Sequence, residues 1–166
     1  MSSSLFLSIP ASFVIVAEQR GRTRTQAPPC YDAPHLPSME KDFDRWNELK
    51  KQVNAGSLLP LYHAREIWWA HLGVNVGYEQ DGTGPSYERP VLIIRGFSPH
   101  VCVVVPLTTS KKRDRFYISA GIVEGKHAAA IVSQIRLIDT RRLINKVGTL
   151  DRATFNPIRK AARKLL

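Results

Sequence analysis

The spacing of apolar residues changes several times along the chain, and each change predicts a different element. From Glu40 to Asn54, apolar residues recur every three or four positions with charged residues between them, at Phe43, Trp46, Leu49 and Val53. This spacing predicts an amphipathic helix, and Gly56 is a typical stop signal after it. Trp46 could stack on a nucleic-acid base, but one aromatic residue on an apolar stripe more commonly belongs to a core.

Short runs of branched apolar residues fill the middle of the chain and predict strands. The predicted strands are Arg65 to Leu72, Pro90 to Arg95, Val101 to Val105, Phe116 to Ser119, Ala128 to Ile138 and Lys146 to Thr149. A turn through Gly96, Ser98 and Pro99 joins the second and third strands into a hairpin. Gly121 and Gly125 are predicted to bound another turn.

Helical spacing returns at the end of the chain. Asp139 is expected to cap one helical turn that ends at Leu143. Residues 151–166 predict a second amphipathic helix, whose start stays open between Asp151 and the Asn156-Pro157 pair because proline fits best in a first turn. Strands joined by short turns and flanked by helices predict a mainly β fold, a small curled antiparallel barrel.

The first 38 residues follow neither pattern. An apolar run from Leu5 to Ala17 has no Lys or Arg before it, and four prolines follow in residues 28–37. A secretory signal needs positive charge ahead of its apolar stretch, so export is disfavoured and a cytoplasmic protein is expected. Met39 directly precedes the predicted helix. The domains are therefore predicted as a disordered or start-site extension, a helix with its linker, and the main domain, at residues 1–38, 39–60 and 61–166.

The charge balance favours a polyanionic partner. The 24 Lys and Arg residues outnumber the 14 Asp and Glu residues, which gives a net charge of +10. Nucleic acid is favoured over a membrane, because no run approaches the roughly 20 apolar residues of a spanning helix. The five histidines have no metal-ligand spacing, and Cys102 lies in an apolar strand where a buried free thiol is expected. No metal or other cofactor is expected.

Polar residues concentrate at the ends of the predicted hairpin, between Gly77 and Ser110. A glycine-rich polar loop leads to Arg89, at the start of the first strand of the hairpin. The second strand ends in a hydroxyl-rich segment, which is followed by the basic stretch Lys111 to Arg115. Charged and hydroxyl groups at the ends of a rigid sheet are typical of a site that handles phosphate. Three simpler interpretations stay open: Arg89 pairs with Glu79 or Glu88, the basic stretch is merely solvated, and His71 is a hydrogen-bonded strand residue and not a general base.

Several short segments, each weak alone, occur in one order that resembles the MazF/PemK family of toxins. They are Arg65-Glu66-Ile67-Trp68, Gly77-x-Glu79-Gln80, Arg89-Pro90-Val91-Leu92-Ile93, Val105-Pro106-Leu107-Thr108, Ser133-Gln134-Ile135-Arg136-x-Ile138-Asp139 and Gly148-Thr149-Leu150. The resemblance spans about residues 64–166. It implies an SH3-like barrel that works as a homodimer, with the helix of residues 40–54 as an addition.

The resemblance also implies a function. Members are toxins of type II toxin-antitoxin systems and cut single-stranded mRNA at a short sequence, leaving a 2′,3′-cyclic phosphate and a 5′-hydroxyl without metal. A cognate antitoxin is implied, as is promoter DNA bound by the toxin-antitoxin complex; a membrane is not. The alternative is a non-catalytic barrel that binds DNA or a protein target such as gyrase. A third class is a housekeeping RNA-binding barrel, which would not arrest growth.

The resemblance assigns the catalytic pair to Arg89 and Thr108. The supporting residues are expected to be Glu79, Gln80, Thr109, Ser110, Lys111, Lys112, Arg113, Gln134 and Arg136. A guanidinium is a poor base at neutral pH, so Arg89 is interpreted first as an electrostatic stabiliser, and the proton acceptor is unassigned. This chain departs from the family pattern in two places. The loop from Glu79 to Arg89 is longer than in compact members, which concerns substrate choice. Ser133 stands where many members have an acidic residue, which concerns the site.

Overall fold

The structure is a computed structural model, and it describes residues 41–57, 59–112 and 114–165. Within these residues the helices are α1 (Phe43–Ala55) and α2 (Arg152–Arg163), and the strands are β1 (Glu66–His71), β2 (Glu88–Ser98), β3 (Val101–Thr108), β4 (Tyr117–Val123), β5 (Lys126–Ile131), β6 (Arg136–Asp139) and β7 (Leu143–Thr149). The predictions for residues 1–38 lie outside the described residues. No described helix is long and apolar enough to cross a membrane.

All strand pairs are antiparallel, and β3 is the strand around which the sheet curls. The order is β4-β5-β3-β2-β1-β7, and β6 also pairs with β3. One edge of β3 pairs with β2 along most of its length, while the other edge pairs first with β6, through residues 101–104, and then with β5 at Leu107 and Thr108. The predicted fold is confirmed: a mainly β, curled antiparallel half-barrel with one helix at each end.

Both faces of the central strands are buried, which explains the continuous apolar run in β2. Successive residues point to opposite faces of a strand. Leu92 packs with β4, β5 and α2, whereas Val91 and Ile93 pack with Trp68 and Cys102 on the other face. Cys102 is the predicted buried thiol, and burial followed by the nearby Asp139 carboxylate raises its pKa to about 11.

The single strand predicted from Ala128 to Ile138 is wrong. β5 ends at Ile131, a 3-10 turn covers Val132–Gln134, and β6 begins at Arg136. The chain must turn here because β5 and β6 pair with different parts of β3. Val132 is buried in the core at this corner, so the apolar pattern runs through it without a break.

The turn predicted between Gly121 and Gly125 is also wrong at its first end. Gly121 lies inside β4, at a register shift after Ser119, and its φ of 77° marks a β-bulge. The reversal itself occurs at Glu124 and Gly125, which have φ values of 46° and 75°. Positive φ at both positions is typical of a tight two-residue hairpin turn.

The capping residue of the second helix decides where that helix begins. α2 begins at Arg152, and the Asp151 side chain accepts a hydrogen bond of 2.9 Å from the Thr154 backbone N–H. Pro157 therefore lies inside the helix, where it removes one backbone hydrogen bond. Phe155 and Ile158 on either side of it are buried against the sheet, and their packing offsets this cost.

The predicted cap at Asp139 is confirmed. Its side chain accepts from the backbone N–H of Arg141 at the start of a 3-10 turn, Thr140–Arg142, and it also pairs with the Arg141 guanidinium at 2.7 Å. Hydrogen bonds from the Arg141 side chain are the largest effect on this carboxyl and lower its pKa to about 2. The turn lies beside α1, to which Arg141 also donates at the Asn54 carbonyl.

α1 packs on the barrel through Trp46, which confirms the core interpretation of that residue. Asp42 caps the helix by accepting from the Arg45 N–H at 2.8 Å. Trp46 is only 6% exposed, and its ring lies directly over Gly73 at the end of β1. Phe43, predicted on the same apolar stripe, is instead 48% exposed.

Candidate active site

Arg89 and Thr108 meet at one edge of the central hairpin. Arg89 is the second residue of β2 and Thr108 is the last residue of β3. The register that pairs Val91 with Pro106 continues outward to set the two residues opposite each other. Both line the same cavity of about 320 Å³. The sheet thus brings together the two residues that the sequence predicted as the catalytic pair.

The Arg89 guanidinium is held by backbone carbonyls. Its Nε donates to the Asp81 oxygen at 2.6 Å and its Nη1 to the Leu107 oxygen at 3.3 Å. Among the described residues, neither Glu79 nor Glu88 forms an ion pair with it, so that simpler interpretation is not observed. Burial lowers the pKa of Arg89, while the Asp81 charge opposes that effect. The group stays protonated and can still donate from Nη2.

The Thr108 hydroxyl is oriented by the loop that follows it. Its Oγ1 accepts a hydrogen bond of 3.1 Å from the Ser110 backbone N–H. The hydroxyl proton remains available, because a hydroxyl can donate one hydrogen bond while it accepts others. Thr109 also lines the cavity. Lys111 and Lys112 are exposed just beyond it, and Arg113 lies outside the described residues.

The opposite wall of the cavity was not predicted from the sequence. It is built by Trp69 of β1, by Glu124 of the β4-β5 turn and by Lys126, the first residue of β5. The Trp69 Nε1 donates to Glu124 Oε1 at 3.2 Å, and this contact joins the two elements. Trp69 and Glu124 are 55 positions apart, so no local spacing could have linked them. A carboxylate at a tight turn gave the only signal, and such turns are common.

The long loop before β2 is a folded tip and not an open flap. Thr83 and Glu88 exchange backbone hydrogen bonds of 2.8 and 3.0 Å, which close it. A Cβ added to Gly82 would lie 1.8 Å from the Tyr87 oxygen, so only glycine fits there. His71 Nδ1 lies 2.8 Å from the Ser86 oxygen, as expected for a hydrogen-bonded strand residue. The insertion therefore adds a defined wall beside Arg89.

Among the remaining predicted site residues, Gln134 connects this loop with Arg136 through hydrogen bonds. Gln134 Oε1 accepts from the Gln80 N–H at 3.2 Å and from Arg136 Nη2 at 3.3 Å, and Gln134 Nε2 donates to the Tyr78 oxygen at 3.4 Å. Burial lowers the pKa of Arg136, and the Glu79 and Asp81 charges oppose the effect. None of Glu79, Gln80, Gln134 and Arg136 lines the cavity in the described structure.

Several solved structures of toxins are similar to this chain at low sequence identity. A MazF from Deinococcus radiodurans is 19% identical, with a TM-score of 0.53 over 64% of this chain and 96% of its own. An endoribonuclease in complex with its cognate antitoxin, from a mycobacterial species, is 18% identical over 63% and 93%, with a TM-score of 0.47. The Mycobacterium tuberculosis toxin MazF-mt6 is 20% identical over 60% and 94%, also at 0.47. No curated protein matches the chain.

The family itself is shown by sequence. The family model of the PemK-like, MazF-like toxin of type II toxin-antitoxin systems matches residues 63–166. This segment contains every ordered motif quoted above, and it includes β1 to β7 and α2. The segment leaves α1 outside. Together with the fold shared with the Deinococcus protein, the match means that this chain belongs to the PemK/MazF family of type II toxin-antitoxin toxins.

Proposed function

We propose that this protein is a toxin endoribonuclease that cuts single-stranded mRNA at a short sequence. The observation that carries the proposal is the joint position of Arg89 and Thr108 on one cavity at the edge of a rigid hairpin. Family membership supports it, because family toxins are generally endoribonucleases. A non-catalytic barrel that binds DNA or a protein would not need a half-buried guanidinium with a donor available beside a hydroxyl.

The residues of the cavity suit phosphodiester transesterification. Attack of a ribose 2′-oxygen forms a new P–O bond and adds negative charge to the phosphate oxygens. Arg89 stabilises that charge through Nη2, and the Thr108 hydroxyl donates one further hydrogen bond. The P–O bond to the 5′-oxygen then breaks, which leaves a 2′,3′-cyclic phosphate on one product and a 5′-hydroxyl on the other. Water is not consumed in this step.

Glu124 is our candidate for the group that accepts the 2′-hydroxyl proton. It is the one carboxylate among the described residues that line the cavity, and Trp69 holds one of its oxygens. The other oxygen is then free to accept a proton. Lys126, the first residue of β5, can supply the proton that the leaving 5′-oxygen requires. This division of roles leaves Arg89 as an electrostatic group, as its chemistry demands.

Cleavage of RNA in EDTA tests the proposed function. We expect the purified protein to cut a long single-stranded RNA at one short sequence, and end mapping should find cyclic-phosphate and 5′-hydroxyl ends. Induced expression should also arrest growth. Intact RNA together with binding to DNA or to gyrase would favour the non-catalytic alternative. Intact RNA without growth arrest would favour a housekeeping RNA-binding barrel.

Replacing Glu124 with glutamine tests its role as proton acceptor. We expect the cleavage rate to fall about 10²-fold or more, which is typical for loss of a general base. The rate of Glu124→Gln should rise about tenfold per pH unit, since hydroxide then takes the proton. Glu48→Gln, on the exposed surface of α1, is the matched control and should change neither rate nor slope. A Glu124→Gln enzyme with wild-type rate and pH profile would contradict the assignment.

Partners follow from the same proposal. We propose that an acidic antitoxin segment covers the cavity, that the toxin works as a homodimer, and that the toxin-antitoxin complex binds its promoter DNA. The net charge of +10 supplies the basic side of such contacts. Because mRNA is the proposed substrate, the proposed location is the cytoplasm. Mixing the toxin with its antitoxin should block RNA cleavage in proportion to the complex formed.

A further inference from the structure

The residues just before α1 are attached to the loop that holds Arg89. Lys41 Nζ lies 2.8 Å from Asp81 Oδ2, and it also donates to the Asn75 oxygen at 2.7 Å and the Gly77 oxygen at 2.9 Å. A lysine ammonium has three donors, so all of them are used here. Lys41 lies outside residues 63–166, the part that matches the family. A segment outside the family match therefore contacts a loop of the family domain.

Asp81 connects Lys41 with Arg89. Its Oδ1 accepts from the Asn75 backbone N–H at 2.7 Å, and its backbone oxygen accepts from Arg89 Nε at 2.6 Å. The Lys41 and Asp81 side chains are 27% and 29% exposed. Partial burial makes the pair less screened than an ordinary surface ion pair. Two short contacts thus connect the start of α1 with the guanidinium.

A second attachment holds the other end of the same loop. The Trp46 ring lies over Gly73, where the loop leaves β1, and meets the Tyr87 ring edge-on at 5.8 Å. The Tyr87 hydroxyl donates to the Asp42 oxygen at 3.3 Å. The loop is therefore fixed by α1 on both sides of Asp81. Rotation of the Asp81 carbonyl away from Arg89 would require these contacts to break.

We propose that Lys41 is a positioning residue for Arg89, acting through Asp81, and that α1 is part of the active-site support in this toxin. The kinetic consequence rests on the proposed function. Arg89 must aim its free Nη2 at the phosphate while Nε and Nη1 are held, and a displacement of about 1 Å can cost about 10²-fold in rate. Lys41 does not line the cavity. Its loss should consequently lower kcat and leave KM nearly unchanged.

Lys41→Met and Lys51→Met form the kinetic comparison. Among the described residues, Lys51 pairs with Glu48 alone, on the exposed face of α1, and the two substitutions remove the same charge. On an RNA oligonucleotide we expect Lys41→Met to lower kcat about tenfold or more, Lys51→Met to match the wild type, and Lys41→Arg to recover most of the loss. Equal kcat in the two methionine variants, or a change in KM alone, would overturn the proposal.

A second measurement does not depend on catalysis. The Arg89 Nε–H proton, bonded to the Asp81 carbonyl, should give a protected NMR signal that disappears in Arg89→Lys. We expect its exchange with water to be about tenfold faster in Lys41→Met and in Asp81→Asn, which retains the backbone oxygen, while Lys51→Met leaves it unchanged. Unchanged exchange in both variants would refute the positioning role. If the wild type cuts no RNA but the exchange accelerates, only the proposed function fails.

Discussion

Replacing Arg89 with alanine should abolish RNA cleavage, with a loss of about 10³-fold or more in kcat. Loss of one charged donor at a developing anion typically costs about 10²–10³-fold, and this side chain supplies both charge and a second hydrogen bond. The Asp81 and Leu107 carbonyls would also lose their donor. We expect that second effect to destabilise the fold by about 1–2 kcal/mol, which thermal unfolding would measure.

Arg89→Lys separates charge from geometry. Lysine retains the positive charge but cannot donate to two carbonyls and to the phosphate as a planar group. We expect it to recover only a small part of the activity. Arg152→Ala is the matched control, because Arg152 is an exposed arginine at the start of α2 and is not among the residues that line the cavity. If Arg89→Ala cleaves RNA at the wild-type rate, Arg89 is not the catalytic arginine.

Replacing Gly73 with alanine should destabilise the protein by about 2–4 kcal/mol. Gly73 has a φ of 83°, and an added Cβ would lie 2.2 Å from Trp46 Cε2 and 2.3 Å from Cζ2. The positive φ alone costs about 1–2 kcal/mol with a side chain, and the clash forces the Trp46 ring off its site. Urea unfolding followed by tryptophan fluorescence measures the loss and the exposure of the ring.

Gly125→Ala provides the matched control for backbone strain. Its φ is 75°, and an added Cβ there meets no atom within 4 Å, so only the strain applies. On a Trp46→Ala background, Gly73→Ala should cost no more than Gly125→Ala, because the clash is gone. If Gly73→Ala and Gly125→Ala are equally destabilising in the wild-type background, the packing of the Trp46 ring does not depend on the absence of a side chain at Gly73.

The predictions that succeeded relied on local physics. A period of three to four residues marked α1 and α2, and branched apolar runs marked β1, β2 and β3, because burial on a regular element repeats with that element's geometry. The residue pattern marked only the polar ends of the hairpin, and the family resemblance narrowed these to Arg89 and Thr108. Their roles as a catalytic pair came from the resemblance and stay a prediction.

The predictions that failed concerned corners and distant contacts. The sequence does not reveal the turn between β5 and β6, because Val132 is as apolar as a strand residue. The chain bends there because β5 and β6 both pair with β3. Glu124 and Trp69 form the second wall of the cavity across 55 positions. The ion pair between Lys41 and Asp81 likewise depends on where α1 packs on the barrel.

The sequence by itself determined both helices, most of the strands and the family, because each depends on neighbours along the chain or on segments in a fixed order. The tertiary structure alone decided what surrounds those residues. The curl of the sheet brings the β4-β5 turn to the cavity that Arg89 lines, and the packing of Trp46 on Gly73 brings Lys41 to the loop. Such contacts arise from the closure of a sheet and the docking of a helix, which no local pattern encodes.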